Sequence, residues 1–102
     1  MKYQPNYDLP RHRFGSYKSN AKMRGFAFDL NYQSFMAYWR KPCFYCGSAI
    51  ETVGLDRVDN ERGYEKDNIV ACCTVCNRMK MDRTREDFIN QCRKIVKGAG
   101  KW

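Results

Sequence analysis

The spacing of apolar residues near the start of the chain predicts one short helix after an irregular segment. Residues 1–12 contain two prolines and show no hydrophobic period, which is typical of irregular structure. Phe14, Tyr17 and Ala21 then share one face of a helix, which we predict over about 13–24.

The following residues change from alternation to helical spacing within a few positions. Phe26, Phe28 and Leu30 alternate with small or polar residues, so they predict a brief extended segment. Asn31 is a residue type that caps helices, and the apolar residues after it predict a helix that stops before Pro42.

Further along, the pattern predicts a β-hairpin followed by a helix. Residues 52–58 and 69–73 have the character of short strands, and the loop 59–68 that joins them contains Gly63, which permits a tight turn. A short helix over roughly 74–80 follows directly.

The last periodic segment predicts a C-terminal helix. Thr84 can cap this helix, with Asp87 at the third helical position as in a capping box. Its apolar stripe, which we interpret as core, consists of Phe88, Ile89, Cys92, Ile95 and Val96. Helices combined with a hairpin predict an α+β fold. We divide it into an irregular arm (1–12), a helical leader (13–41), a β-β-α core (42–80) and a last helix (84–97).

Length and composition limit the class of protein. A chain of 102 residues suits one domain, and its 15% aromatic content can supply a small core. The start of the sequence has no secretory leader, and no stretch is apolar enough to cross a bilayer. We therefore expect a cytoplasmic protein with no membrane partner.

The net charge of +8 is unevenly distributed. Both ends of the chain are basic, whereas the stretch 51–68 is mainly acidic. A basic body favours a polyanion as partner. An acidic enclave within it favours a divalent cation beside a phosphate.

Two Cys-x-x-Cys pairs flank the predicted hairpin. Cys43, Cys46, Cys73 and Cys76 have the spacing of a four-sulfur zinc site, which would stabilise a small chain. The six cysteines could instead form disulfides, but that needs an oxidising compartment. Cys72 competes with Cys73 for the third position, and we read it as a core residue because only Cys73 keeps the two-residue spacing.

From residue 42 to about 80, the sequence resembles the HNH endonucleases of the beta-beta-alpha-metal (His-Me finger) group. The motifs that carry the resemblance are CFYCG, GLDRVDN, GY and DNIVACCTVCNRMK. The upstream segment YKSNAKMRGFAFDLNYQSF looks like the leader of the small zinc-containing forms common in phage genomes. The resemblance implies a zinc-stabilised HNH fold.

The resemblance also implies roles for four residues. Asp56 would bind a catalytic Mg²⁺ or Mn²⁺, Asn68 would order the loop, and Asn77 would be the second protein ligand of that ion. The general-base histidine of the family is replaced here by Arg57.

This replacement leaves the identity of the base open. Arginine stays protonated and cannot accept a proton, although it can pair with a phosphate. A metal-bound hydroxide, Asp59, Tyr64 or His12 could stand in. His12 could equally be a solvated surface group, and Asp59 could simply start the loop turn before Asn60.

The leading hypothesis is a metal-dependent DNA endonuclease or nickase with low sequence specificity. Arg57 would then contact the scissile phosphate. The residues expected to bind nucleic acid are Arg11, Arg13, Lys18, Lys22, Arg24, Arg78, Lys80 and Arg83. Two alternatives are an HNH scaffold that has lost catalysis and only binds DNA or RNA, and a module that binds a host or phage protein. The sequence leaves open whether the protein is a monomer or a dimer.

Overall fold

The computed structural model describes residues 8–100. The elements in chain order are α1 (Leu9–Met23), α2 (Tyr32–Met36), β1 (Leu55–Arg57), a 3₁₀ turn (Lys66–Asn68), β2 (Ile69–Ala71), α3 (Thr74–Lys80) and α4 (Arg85–Ala99). Helices plus a two-stranded antiparallel sheet confirm the predicted α+β class. None of the helices within residues 8–100 is long and apolar enough to span a membrane.

The first helix begins earlier than predicted. Asp8 caps α1 by accepting a hydrogen bond from the Arg11 backbone N–H at 3.1 Å, and Pro10 lies in the first turn. The prediction that residues up to 12 are irregular is therefore wrong for its last part. Proline disrupts a helix interior but suits the first turn, where its missing N–H costs nothing. Residues 1–7 of the predicted arm lie outside the described residues.

The segment after α1 does not form the predicted strand. Among the described residues it makes one isolated parallel bridge, Phe28 to Tyr64, with hydrogen bonds from Tyr64 N to Ala27 O and from Asp29 N to Tyr64 O, both 2.9 Å. This close approach depends on Gly63, because a Cβ at that position would overlap the backbone of Ala27. The contact fixes the leader against the hairpin loop.

The second helix is capped as predicted but is shorter. Asn31 Oδ1 accepts a hydrogen bond from Ser34 N at 2.8 Å, and α2 ends at Met36. Beyond it, Arg40 has a positive φ of 58° and its N–H donates to Thr52 O at 2.6 Å. The chain thus turns toward the hairpin before it reaches Pro42.

The hairpin strands pair in the register Leu55 with Ala71, Asp56 with Val70 and Arg57 with Ile69. Successive side chains of a strand point to opposite faces. Leu55 and Arg57 therefore lie on one face of the hairpin, and Asp56 lies on the other.

Two small cores cover the two faces. The first core contains Ala21, Leu30, Phe35, Leu55, Tyr64 and Ile69. The second core contains Cys43, Cys72, Cys76 and Phe88. The expectation that the whole α4 stripe is core is wrong beyond its first turns, since Ile95 is 53% and Val96 is 75% exposed. The second half of α4 extends beyond the small body on which its first turns pack.

Candidate zinc centre and active site

The four cysteines predicted to bind zinc come together. Their Sγ atoms all lie within 4.8 Å of one another, and Cys46 Sγ is 3.7 Å from Cys73 Sγ. With Zn–S bonds of about 2.3 Å, the sulfurs of a tetrahedral site lie about 3.8 Å apart, so the cluster fits zinc. Cys72 is not part of this four-sulfur cluster; it is 1% exposed and packs in the second core, as predicted.

The backbone around the cluster favours thiolates. Although burial opposes ionisation, backbone hydrogen bonds from Cys46, Cys73 and Tyr45 lower the pKa of Cys43 to about 6. Burial and the neighbouring sulfurs raise the pKa of Cys76 well above its usual range. One thiol thus ionises easily while its neighbour resists a second negative charge, and a divalent cation relieves that repulsion. Burial also raises the pKa of Cys72 to about 12, so this residue stays a neutral thiol.

The Asp56 carboxylate lies between the hairpin and α3. Its Oδ2 accepts a 2.7 Å hydrogen bond from the Tyr45 hydroxyl, and its Oδ1 lies 3.2 Å from Lys80 Nζ. Lys80 is completely buried, and its ammonium also donates to the Arg57 carbonyl at 3.3 Å. Burial, followed by donation to Asp56, raises the pKa of Tyr45 well above its usual range, so Tyr45 acts as a donor.

Arg57 lies on the opposite face from Asp56 and is only 8% exposed. Its guanidinium donates to the backbone oxygens of Asn60 and Arg62 at 2.6 and 2.8 Å, and it lies 3.7 Å from the ring centroid of Phe26. This placement differs from the expected contact with a scissile phosphate. Strand alternation turns the side chain inward, where it holds the hairpin loop against the leader.

The Asn68 side chain is buried in the loop between the strands and bonds to the loop backbone. Its amide accepts from Asp59 N at 2.8 Å and donates to Asp59 O and Gly63 O at 3.1 and 2.9 Å. Asp59 itself accepts from Glu61 N at 2.9 Å, which is the turn-forming alternative considered for it. The structure thus gives both side chains a part in shaping the loop.

Asn77 is exposed on α3. Among the hydrogen bonds of the described residues, the partner of Asp56 on this helix is Lys80 and not Asn77. Lys80 was expected to contact a phosphate, and its complete burial contradicts that expectation. The sequence did contain a signal: Lys80 lies four residues after Cys76, on the same inward face of the helix. Tyr45 has no comparable signal.

Asn77 instead lines a groove of about 400 Å³ between α1 and α3. Arg13 and Arg78 line the same groove, so two cations from distant parts of the sequence meet there. The other basic residues expected to bind nucleic acid, apart from Lys80, are exposed: Arg11, Lys18, Lys22, Arg24 and Arg83. Arg11, Lys18 and Lys22 recur at helical spacing and form one stripe along α1.

Comparison with solved structures identifies the architecture. The chain superposes on the HNH restriction endonuclease PacI with a TM-score of 0.73, covering 96% of this chain and 84% of PacI at 21% sequence identity. This chain has the HNH endonuclease fold. The four-cysteine cluster fits a zinc-containing form of it, so the family resemblance seen in the sequence is confirmed for the fold.

The sequence of this chain is similar to part of a viral protein. Uncharacterized protein R423 of Acanthamoeba polyphaga mimivirus is 36% identical over 86 residues, which cover 82% of this chain. The same match covers 16% of R423, so this chain spans a small part of that relative's length. No family model matches the sequence.

Proposed function

We propose that this chain is a metal-dependent DNA endonuclease or nickase that hydrolyses phosphodiester bonds with low sequence specificity. The observation that carries the proposal is the HNH endonuclease fold over 96% of the chain. The two-sided basic groove beside α3 supports it further, because a cleavage site for DNA must hold the phosphate backbone.

The groove provides the means of holding DNA. Arg13 and Arg78 flank Asn77, and guanidinium groups bind phosphate oxygens through paired N–H donors. The exposed stripe of Arg11, Lys18 and Lys22 would contact phosphates farther along the strand. Contacts of this kind position a duplex without reading its sequence, which is the reason for proposing low specificity.

The residues on the hairpin–helix face fit a hard divalent cation by their chemistry. The Asp56 carboxylate and the Arg57 carbonyl already surround one cation, the Lys80 ammonium, at 3.2 and 3.3 Å. Oxygen donors of this type are the ligands that Mg²⁺ and Mn²⁺ prefer. Asp56 would therefore hold such an ion, with Asn77 one turn before Lys80 as the second protein ligand.

When bound, such an ion supplies Lewis-acid polarisation of the scissile phosphate and stabilises charge on the leaving oxygen. The residues of this chain do the rest by position. Tyr45 orients the Asp56 carboxylate through its 2.7 Å hydrogen bond. Asn68 fixes the loop that joins the two strands of the hairpin. Arg57 neither accepts a proton nor reaches the groove, so its contribution is structural.

A supercoiled-plasmid nicking assay tests the proposal. Zinc-loaded protein is compared with and without added Mg²⁺ or Mn²⁺, and chelators are avoided because they would also strip the structural zinc. Nicking that requires the added ion is the expected result. Asn77→Ala should abolish nicking, because it removes the proposed second ligand of the ion. Asn77 is exposed, so its loss should not disturb the fold. Asn90→Ala, the same change on exposed α4, is the matched control.

The obvious variant Asp56→Ala is a poor control. Removing the carboxylate leaves Lys80 buried without its partner, and breaking a buried pair in this way costs about 3–5 kcal/mol. Lost nicking in Asp56→Ala would therefore report unfolding as readily as catalysis.

The second candidate function is a binding module that has kept the HNH scaffold without turnover. The Lys80–Asp56 ion pair favours it, because the pair already neutralises the carboxylate expected to hold a catalytic ion. This alternative predicts no nicking with either ion. It also predicts gel-shift binding of DNA that needs no divalent cation and weakens as salt rises.

A further inference from the structure

The Lys80 side chain at the end of α3 is buried together with its ammonium group. It is 0% exposed, and it is bound by the Asp56 carboxylate, at 3.2 Å, and the Arg57 carbonyl, at 3.3 Å. Lysine is almost never fully buried unless it is paired. Here the surrounding oxygens come from β1, the strand that presents Asp56 to α3.

Within residues 8–100, the hydrogen-bond acceptors of this ammonium are two oxygens, and the other Asp56 carboxylate oxygen accepts a hydrogen bond from Tyr45. Carboxylate and carbonyl oxygens are also the ligand types that hard divalent cations bind, with water completing the coordination. A protein ammonium and a hard divalent ion cannot share the Asp56 oxygen, since each needs the space and the charge that the other occupies.

We propose that Lys80 is an internal competitor for the divalent cation at Asp56, so that the resting site is closed by the protein's own ammonium. The proposal rests on the proposed function for the use of that ion, but not for its binding. The site becomes available only when the last turn of α3 carries Lys80 away from Asp56.

The movement would take place at the end of α3 and would require the hydrogen bonds of that turn to rearrange. Lys80 is the last residue of the helix, and Met81 after it has a positive φ of 52°, which a methionine rarely adopts. The Lys80 carbonyl is bound by Arg83 from the following turn. Release of Lys80 therefore requires rearranging one helix terminus and not the zinc cluster, whose nearest ligand, Cys76, lies one turn earlier.

The consequence is a lowered apparent affinity for the ion. When a binding-competent state is populated only fractionally, the apparent dissociation constant rises by the inverse of that fraction, so a site open about one time in ten binds about tenfold more weakly. Removing the ammonium should therefore lower the apparent dissociation constant of the ion. It should also leave an uncompensated carboxylate that a divalent ion stabilises.

The test measures ion binding directly. Mn²⁺ is titrated into zinc-loaded protein, and free Mn²⁺ is followed by electron paramagnetic resonance for the wild type and for Lys80→Met, which keeps the length of the side chain. Lys80→Met should bind Mn²⁺ about tenfold or more tightly than the wild type. Lys94→Met, the same change on exposed α4, should match the wild type. The double variant Lys80→Met/Asp56→Asn should lose the gained site.

A second measurement on the wild-type protein covers the case in which Lys80→Met does not fold. In a lysine-selective nitrogen NMR spectrum, the buried ammonium of Lys80 should give a protected signal that shifts as Mg²⁺ is added, while exposed lysines such as Lys94 do not. A Lys80 signal that stays unchanged at saturating Mg²⁺ would overturn the proposal. Equal Mn²⁺ affinities of wild type and a folded Lys80→Met would do the same. Because neither readout uses DNA, a failed nicking assay leaves both results interpretable.

Discussion

Replacing Arg57 by methionine removes a guanidinium that is almost fully buried on the side of the hairpin away from Asp56. That group donates to Asn60 O and Arg62 O at 2.6 and 2.8 Å and stacks at 3.7 Å on Phe26. Hydrogen bonds from a charged donor contribute about 1.5–3 kcal/mol each, and a desolvated cation–π contact contributes about 2 kcal/mol. Since one group makes all three contacts, the terms do not simply add. We expect a loss of about 3–5 kcal/mol in the free energy of unfolding.

Urea unfolding followed by tryptophan fluorescence, with zinc kept saturating, measures this loss. The midpoint should fall while the slope stays constant, because the surface exposed on unfolding is unchanged. Arg62→Met is the matched control in the same loop. Its side chain is 40% exposed and pairs with Glu65 and Asp67, and pairs near the surface add little to stability. Its midpoint should therefore move far less.

The same series decides whether Arg57 acts on DNA. Nicking and DNA affinity of Arg57→Met, measured well below its melting temperature, should stay close to wild type. Arg57→His, which restores the family's residue type, should not raise nicking, because the side chain points toward Phe26 and not toward Asp56. If Arg57→Met kept the wild-type urea midpoint but lost cleavage or bound DNA more weakly, the inward placement of Arg57 would be refuted. A contact between Arg57 and the scissile phosphate would then be the better interpretation.

Three further outcomes follow from the geometry. Gly63→Ala should break the contact between the hairpin loop and residues 27–29 and lower the melting temperature strongly, because its Cβ would overlap the backbone of Ala27. Gly15→Ala within α1, where a Cβ meets nothing within 4 Å, should instead raise the free energy of unfolding by about 0.5–1 kcal/mol. Cys73→Ser should reduce bound zinc in a colorimetric assay and abolish cooperative unfolding, while Cys92→Ser should keep full zinc content. Arg78→Gln should weaken DNA binding for all sequences alike and reduce the slope of log affinity against log salt by about 1, as filter binding at several salt concentrations would show.

Much of the fold follows from local sequence features. Caps at Asn31 and Thr84 form as predicted, since a side-chain oxygen satisfies N–H groups only three residues away. The predicted bounds of α3 agree with the structure. The zinc frame is equally local within each half, because a Cys-x-x-Cys turn brings two sulfurs together by itself.

The boundaries that depended on distant partners were less predictable. The alternating segment at Phe28 looked like a strand, yet within residues 8–100 it forms only an isolated bridge to Tyr64. The apolar stripe of α4 has full helical periodicity, but the body is too small to cover its second half. Periodicity shows which residues could be buried together, and the extent of the neighbouring surface decides which of them are.

The candidate site shows the same division. The sequence by itself determined the cysteine frame, the order of Asp56, Asn68 and Asn77, and the basic character of the surface. Only the tertiary structure decided that Lys80 lies on Asp56 and that Arg57 turns inward. The reason is that the destination of a charged side chain depends on the partners available where it is buried, and those partners come from elements far apart in the chain.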